Sequence, residues 1–142
     1  MKKASWIVLT LAGVAVILIS LISAVHAYNW GDNYGIGGTR VSEVAAGRLA
    51  VASALRGIRG TSAAFATAYG VLFLTIVLVP YRRGDVWAWW TLFAGGLTVL
   101  AITLLRVPFL DTRLGVAGSV SHFASAMVGL LLDVRRLKHR AQ

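Results

Sequence analysis

Four apolar runs, each about as long as a bilayer crossing, fill most of this chain: residues 6–27, 62–80, 86–105 and 114–132. At about 1.5 Å rise per residue, each reaches roughly 28–33 Å as a helix, against a hydrocarbon core of about 30 Å. Lipid offers no hydrogen-bond partners to an exposed backbone, so such segments must be helical. The expected fold class is all-α: an integral membrane four-helix bundle with a short amphipathic outer-side segment at 43–59.

The 142 residues leave room for one transmembrane domain, 1–142, because the longest polar stretch, 28–42, is too short for a core of its own. A hydrophobic share of 58% against 13% charged residues fits a lipid-facing bundle and not a soluble domain. Cysteine is absent, which excludes disulfides, thiolate metal sites and thiol redox chemistry. The formal charge of +9 sits mostly just beyond the ends of the apolar runs. That placement points to topology and lipid headgroups, and no nucleic-acid partner is expected.

Lys2 and Lys3 precede the first run, and Val25-His26-Ala27 has the small-residue pattern of a cleavage site. The run reaches about 20 residues, longer than the 7–15 of a signal peptide, so an uncleaved first helix is expected. Four crossings put both termini on one side. That side holds Lys2, Lys3, Arg82, Arg83, Arg135, Arg136, Lys138 and Arg140, against Arg40, Arg48, Arg56, Arg59, Arg106 and Arg113 on the other. The positive-inside rule then makes both termini cytoplasmic. Trp87, Trp89 and Trp90, with Tyr81 just before the loop, read as an aromatic belt at the headgroup level. Trp6, Tyr28 and Trp30 mark the ends of helix one in the same way. The loop 28–38 is rich in Gly and Asn and reads as turns, with no phosphate-binding signature.

Between 43 and 59, Val44, Val51, Leu55 and Ile58 fall on one helical stripe and Arg48, Arg56 and Arg59 on a neighbouring face. The segment either lies on the outer leaflet or extends helix two. Its arginines either grip anionic lipid or a partner's carboxylates, or simply stop the helix from sinking.

Helix four carries Ala117, Ser121, Ser125 and Gly129 at every fourth position, a stripe that permits close helix approach, within the bundle or onto a partner. Ser62, Ala66 and Gly70 in helix two, and Thr91 and Gly95 beside Gly96 in helix three, are shorter versions. His122 is an ionisable residue near the middle of helix four, with Gly118 and Ser119 one turn before it and Ser125 and Ala126 one turn after. These small neighbours clear a patch beside the imidazole, which makes the five residues a candidate ligand site; packing through hydrogen bonds is the other reading. The Gly118–His122 pair resembles the arrangement in light-harvesting polypeptides, where the small residue makes room for a bacteriochlorophyll. No cofactor and no metal is expected; what that resemblance implies is an alternative, a tetrapyrrole with the imidazole as its ligand.

No catalytic constellation is present. Ser119 and His122 lack an orienting carboxylate, and residues 6–27 lack the membrane glutamate on which small four-helix multidrug exporters depend. The stretch from Leu55-Arg56-Gly57 through Gly70, and Tyr81-Arg82-Arg83-Gly84 leading into Trp87-Ala88-Trp89-Trp90, resembles small four-helix bacterial inner-membrane proteins of unassigned function, including DoxX-like ones. The resemblance implies the topology and a bacterial inner membrane, and supplies no chemistry. The expected function is that of a non-catalytic accessory or assembly subunit, partnered by membrane lipids and other membrane subunits. The alternative is a binder or carrier of a tetrapyrrole, quinone or lipid centred on His122.

Overall fold

The computed structural model describes residues 2–29, 35–36 and 39–134. Trp30, most of the Gly/Asn-rich loop and the basic tail with Arg135, Arg136, Lys138 and Arg140 lie outside the described residues. The chain is mostly helical. Helix α1 spans Lys2–Asn29, followed by the two-residue strands β1 (Gly35–Ile36) and β2 (Thr39–Arg40) and the short helix α2 (Val41–Ala45). Helix α3 (Leu49–Ile76) runs on into a π-helical turn, Val77–Tyr81; α4 (Val86–Leu104), α5 (Arg106–Leu110) and α6 (Val116–Leu131) complete the chain.

Among the described residues, three helical stretches are long and apolar enough to cross a membrane: Ala4–Asn29, Leu49–Tyr81 and Val86–Leu110. The fourth apolar run is a helix of only 16 residues, shorter than the expected 114–132. Backbone turns trim its start: Asp111 and Gly115 both adopt positive φ (47° and 78°), so the helix begins at Val116.

Two prolines shape the other helices. Pro80 has no N–H, and in an α-helix its ring would crowd the carbonyl of Ile76; widening the last turn to a π-helix relieves both problems. The chain then leaves the helix through Gly84 at φ 98°, with the N–H groups of Gly84 and Asp85 donating to the Pro80 carbonyl. Pro108 likewise cannot donate to Leu104, and the α-helix is interrupted at Leu105. That residue keeps helical angles (φ −60°, ψ −21°), so α5 prolongs α4 where a loop was expected.

The segment 43–59 is two things. Glu43 belongs to α2, whose start is fixed by the Arg40 N–H donating to the Glu43 carboxylate at 3.2 Å. After left-handed turns at Ala46 and Gly47, residues 49–59 form the first turns of α3, an extension of helix two. Its apolar seam is also not the expected stripe. Val41, Ala45 and Ala52 are buried together, with Val51 and Leu55 packed against them, while Val44 and Ile58 are exposed.

The molecule divides into two compact units, residues 1–15 with 71–142, and residues 16–70. In the first, Leu9 and Ala12 of α1, Phe73, Val77 and Tyr81, Ala88, Trp89 and Leu92 of α4, and Ala126 and Leu130 of α6 form the core. A Cβ placed on Gly129 would lie 2.7 Å from Leu9 Cγ, so only glycine permits this approach of α6 to α1. In the second, α1 and α3 meet over Ser20, Ala27, Gly60, Ala63 and Gly70. A Cβ on Gly70 would lie 2.6 Å from Ile17 Cγ1. The Ser62–Ala66–Gly70 stripe is thus rotated: Ser62 is exposed and donates back to the Ile58 carbonyl, and Gly60 and Ala63 take the packing face.

Candidate functional site

Polar groups within apolar helices are the places to look for chemistry, because each must be paired or carry a role. In the unit formed by 1–15 and 71–142, one such cluster ties three helical segments together. Ser5, fully buried, donates to the Gly129 carbonyl at 2.7 Å. With its only proton spent there, Ser5 Oγ accepts from the Tyr81 hydroxyl at 2.5 Å. Beside this pair, the Trp89 indole N–H donates to the Leu130 carbonyl at 3.1 Å, and the Trp89 ring stacks on Phe93. The Arg82 guanidinium lies 4.8 Å above the Trp6 ring, a cation–π contact at the same end. The Ser5, Tyr81 and Trp89 protons each have an acceptor inside the protein, so these residues act as a hydrogen-bonded knot.

This corrects two expectations. Tyr81 is buried and does not mark an interface. Of the three tryptophans read as lipid contacts, Trp87 and Trp90 are exposed, and Trp89 is core. Trp89 falls on the Trp89–Leu92–Gly96 face, the helical spacing of the buried α4 residues.

A second cluster surrounds His122. The ring of Phe73 meets the imidazole edge-on, with centroids 5.2 Å apart. Ser119 Oγ donates to Thr103 Oγ1 at 3.1 Å, and Thr103 in turn donates to the Val99 carbonyl. Of the five residues proposed to frame a ligand, Ser119 and His122 are half-buried and Ala126 is buried. Gly118 and Ser125 lie on the exposed flank. The cleared patch is therefore filled on the Phe73 side and open on the other: a Cβ on Gly118 would meet nothing within 4 Å. Among the described residues, no group of three His, Asp or Glu side chains is placed to hold a metal ion.

The small-residue stripe of helix four splits. Gly129 is buried against Leu9, whereas Ala117, Ser121 and Ser125 are exposed, and the Ser125 hydroxyl folds back onto the Ser121 carbonyl. An i, i+4 stripe drifts by about 40° per step on a helix of 3.6 residues per turn, so its two ends face different neighbours. The inward face runs instead through Ser119, His122, Ala126 and Gly129.

The outer arginines also separate. Arg59 is held inside the 16–70 unit, with Nε donating to Ser23 Oγ at 3.1 Å and Nη1 to the Gly35 carbonyl at 3.4 Å. It pins α3 to α1 and to the β1–β2 pair, in which Gly35 opposes Arg40 and Ile36 opposes Thr39. Arg56 is half-buried. Arg48 is exposed and borders a notch of about 90 Å³ lined by Ser42, Ala45, Gly47, Leu49 and Ala52, too small for more than a few waters.

Comparison of the chain with protein-family models, with curated proteins and with solved structures returns no match.

Proposed function

We propose that this chain is a non-catalytic, four-span integral membrane protein acting as an accessory or assembly subunit of a larger membrane complex. The bilayer reading is supported by the large apolar side chains displayed all along α1 (Leu11, Leu18, Ile19, Ile22), which in water would form a single aggregating surface. At 16 residues, α6 reaches about 24 Å, close enough to the hydrocarbon thickness for a crossing with local thinning. The Arg82–Arg83 loop and the basic tail favour cytoplasmic termini, and a bacterial inner membrane is the setting we assign.

The observation that carries the subunit reading is the exposed face of α6, with Ala117, Gly118, Ser121 and Ser125. Beside the exposed Val120 and Val128, these small residues offer a surface that a partner helix can approach closely. The test is the native mass after gentle extraction, with photocrosslinking from position 121. Co-migration with other subunits and a discrete crosslinked species are expected. A protein that runs alone and crosslinks to nothing rejects the reading.

The open flank beside Gly118 favours one second reading, a lipophilic ligand such as a tetrapyrrole, quinone or lipid seated against His122. It requires non-protein mass on the extracted protein that disappears in H122L. Retention of that mass by the variant removes His122 from consideration.

A further inference from the structure

The connection between α4 and α6 has the composition of a membrane-seated element. Twenty residues separate Val86 from Arg106, about 30 Å of helix, so a helix entering lipid at the Trp87–Trp90 end brings Arg106 to the opposite headgroup layer. An aqueous loop would turn polar there. Instead α5 and its flanks expose Leu105, Val107, Phe109, Leu110 and Leu114, with Phe109 77% and Leu110 67% accessible. Two cations accompany them. Arg106 reaches back across the turn, its Nη1 3.9 Å from where a Cβ on Gly115 would lie, which brings it toward the Arg113 side of the connection. No hydrogen bond or ion pair engages either guanidinium among the described residues, and Asp111 is the one acid between them.

We propose that this connection is a lipid-headgroup clamp: Phe109, Leu110 and Leu114 sit in the interfacial layer while Arg106 and Arg113 bind the phosphate of anionic phospholipid. The occupant follows from complementarity. Exposed rings and aliphatic chains interleaved with unpaired guanidiniums match a surface that is apolar below and anionic at the phosphate level. A protein partner would have to supply both a greasy face and paired carboxylates. The inference rests on the membrane reading above, and its test must separate the two.

The absence of native cysteine makes any single cysteine a clean reporter. Nitroxide-labelled F109C and, as reference, A94C on the exposed face of α4 are reconstituted in phosphatidylcholine–phosphatidylglycerol vesicles. Collision with oxygen is compared with collision with a water-soluble nickel chelate. Both sites are expected to favour oxygen, A94C more strongly. If A94C favours oxygen and F109C favours nickel, the connection is aqueous and the clamp is wrong; if both favour nickel, the membrane reading itself fails. In parallel, the association of spin-labelled phosphatidylglycerol relative to phosphatidylcholine is measured in R106Q, R113Q and the double variant. Each substitution is expected to lower that preference about fivefold, the usual contribution of one basic residue at an anionic surface. An unchanged preference in the double variant overturns the role of the arginines.

Discussion

The two ends of α6 carry the same kind of residue and meet opposite fates. Near its C-terminal end, Gly129 lies against Leu9, its carbonyl takes the Ser5 proton, and Trp89 reaches the neighbouring Leu130 carbonyl. Toward its N-terminal end, Ala117, Gly118, Ser121 and Ser125 are exposed among the described residues. Smallness therefore licenses close approach without saying by what. At one end the chain itself has used that licence, and at the other it is left for lipid or for another protein.

Enlarging a residue at each end sharpens the contrast. G129L forces a side chain into space already held by Leu9, and we expect a loss of 3 kcal/mol or more, roughly the upper range for overpacking, or failure to fold. Reversible unfolding in mixed micelles measures it, and a loss as small as that of A117L would remove the distinction between the two ends. Next in size is S5A, which strips the acceptor from Tyr81 and the donor from Gly129. A loss of about 1–2 kcal/mol is expected, in keeping with hydrogen bonds between membrane helices. W89F keeps the stacking on Phe93 and gives up one hydrogen bond to Leu130, so about 1 kcal/mol is expected from the same titration. The smallest effect on stability belongs to the double variant S121L S125L, within about 0.5 kcal/mol of the parent chain because both sites are exposed. If the proposed subunit role holds, that same variant should lose its co-migrating subunits in native membranes, and retention of them would move the proposed docking surface elsewhere.

Much of this architecture was legible in the sequence, and the misses have physical causes. Length and hydropathy located the apolar runs because crossing a bilayer demands about 20 apolar residues. Helix ends were less visible. The change in polarity put boundaries at 62 and 105; the start of α3 at Leu49 matches one of the two readings left open for 43–59, whereas the continuation of α5 to Leu110 was not foreseen. A helix continues as long as its backbone bonds are satisfied, whatever surrounds it, so a change in polarity does not mark a helix end. Of the candidate site, the sequence placed the residues around His122 on one helix, but what faces them was not legible. Phe73 is 49 positions away in sequence and carries no periodic relation to His122. The buried roles of Tyr81 and Trp89 were missed because amphipathic aromatics suit an interface and a hydrogen-bonded core equally well.

By itself, then, the sequence determined the helical class and the apolar runs, since these follow from local composition and periodicity. Only the tertiary structure decided which small residues are filled and which stay open, that Ser5, Tyr81 and Gly129 form one knot, and that Arg59 is spent on Ser23 and Gly35. Those outcomes depend on distances between segments far apart in the chain. Side chains of the same size and polarity are equally compatible with either arrangement until the helices are brought together.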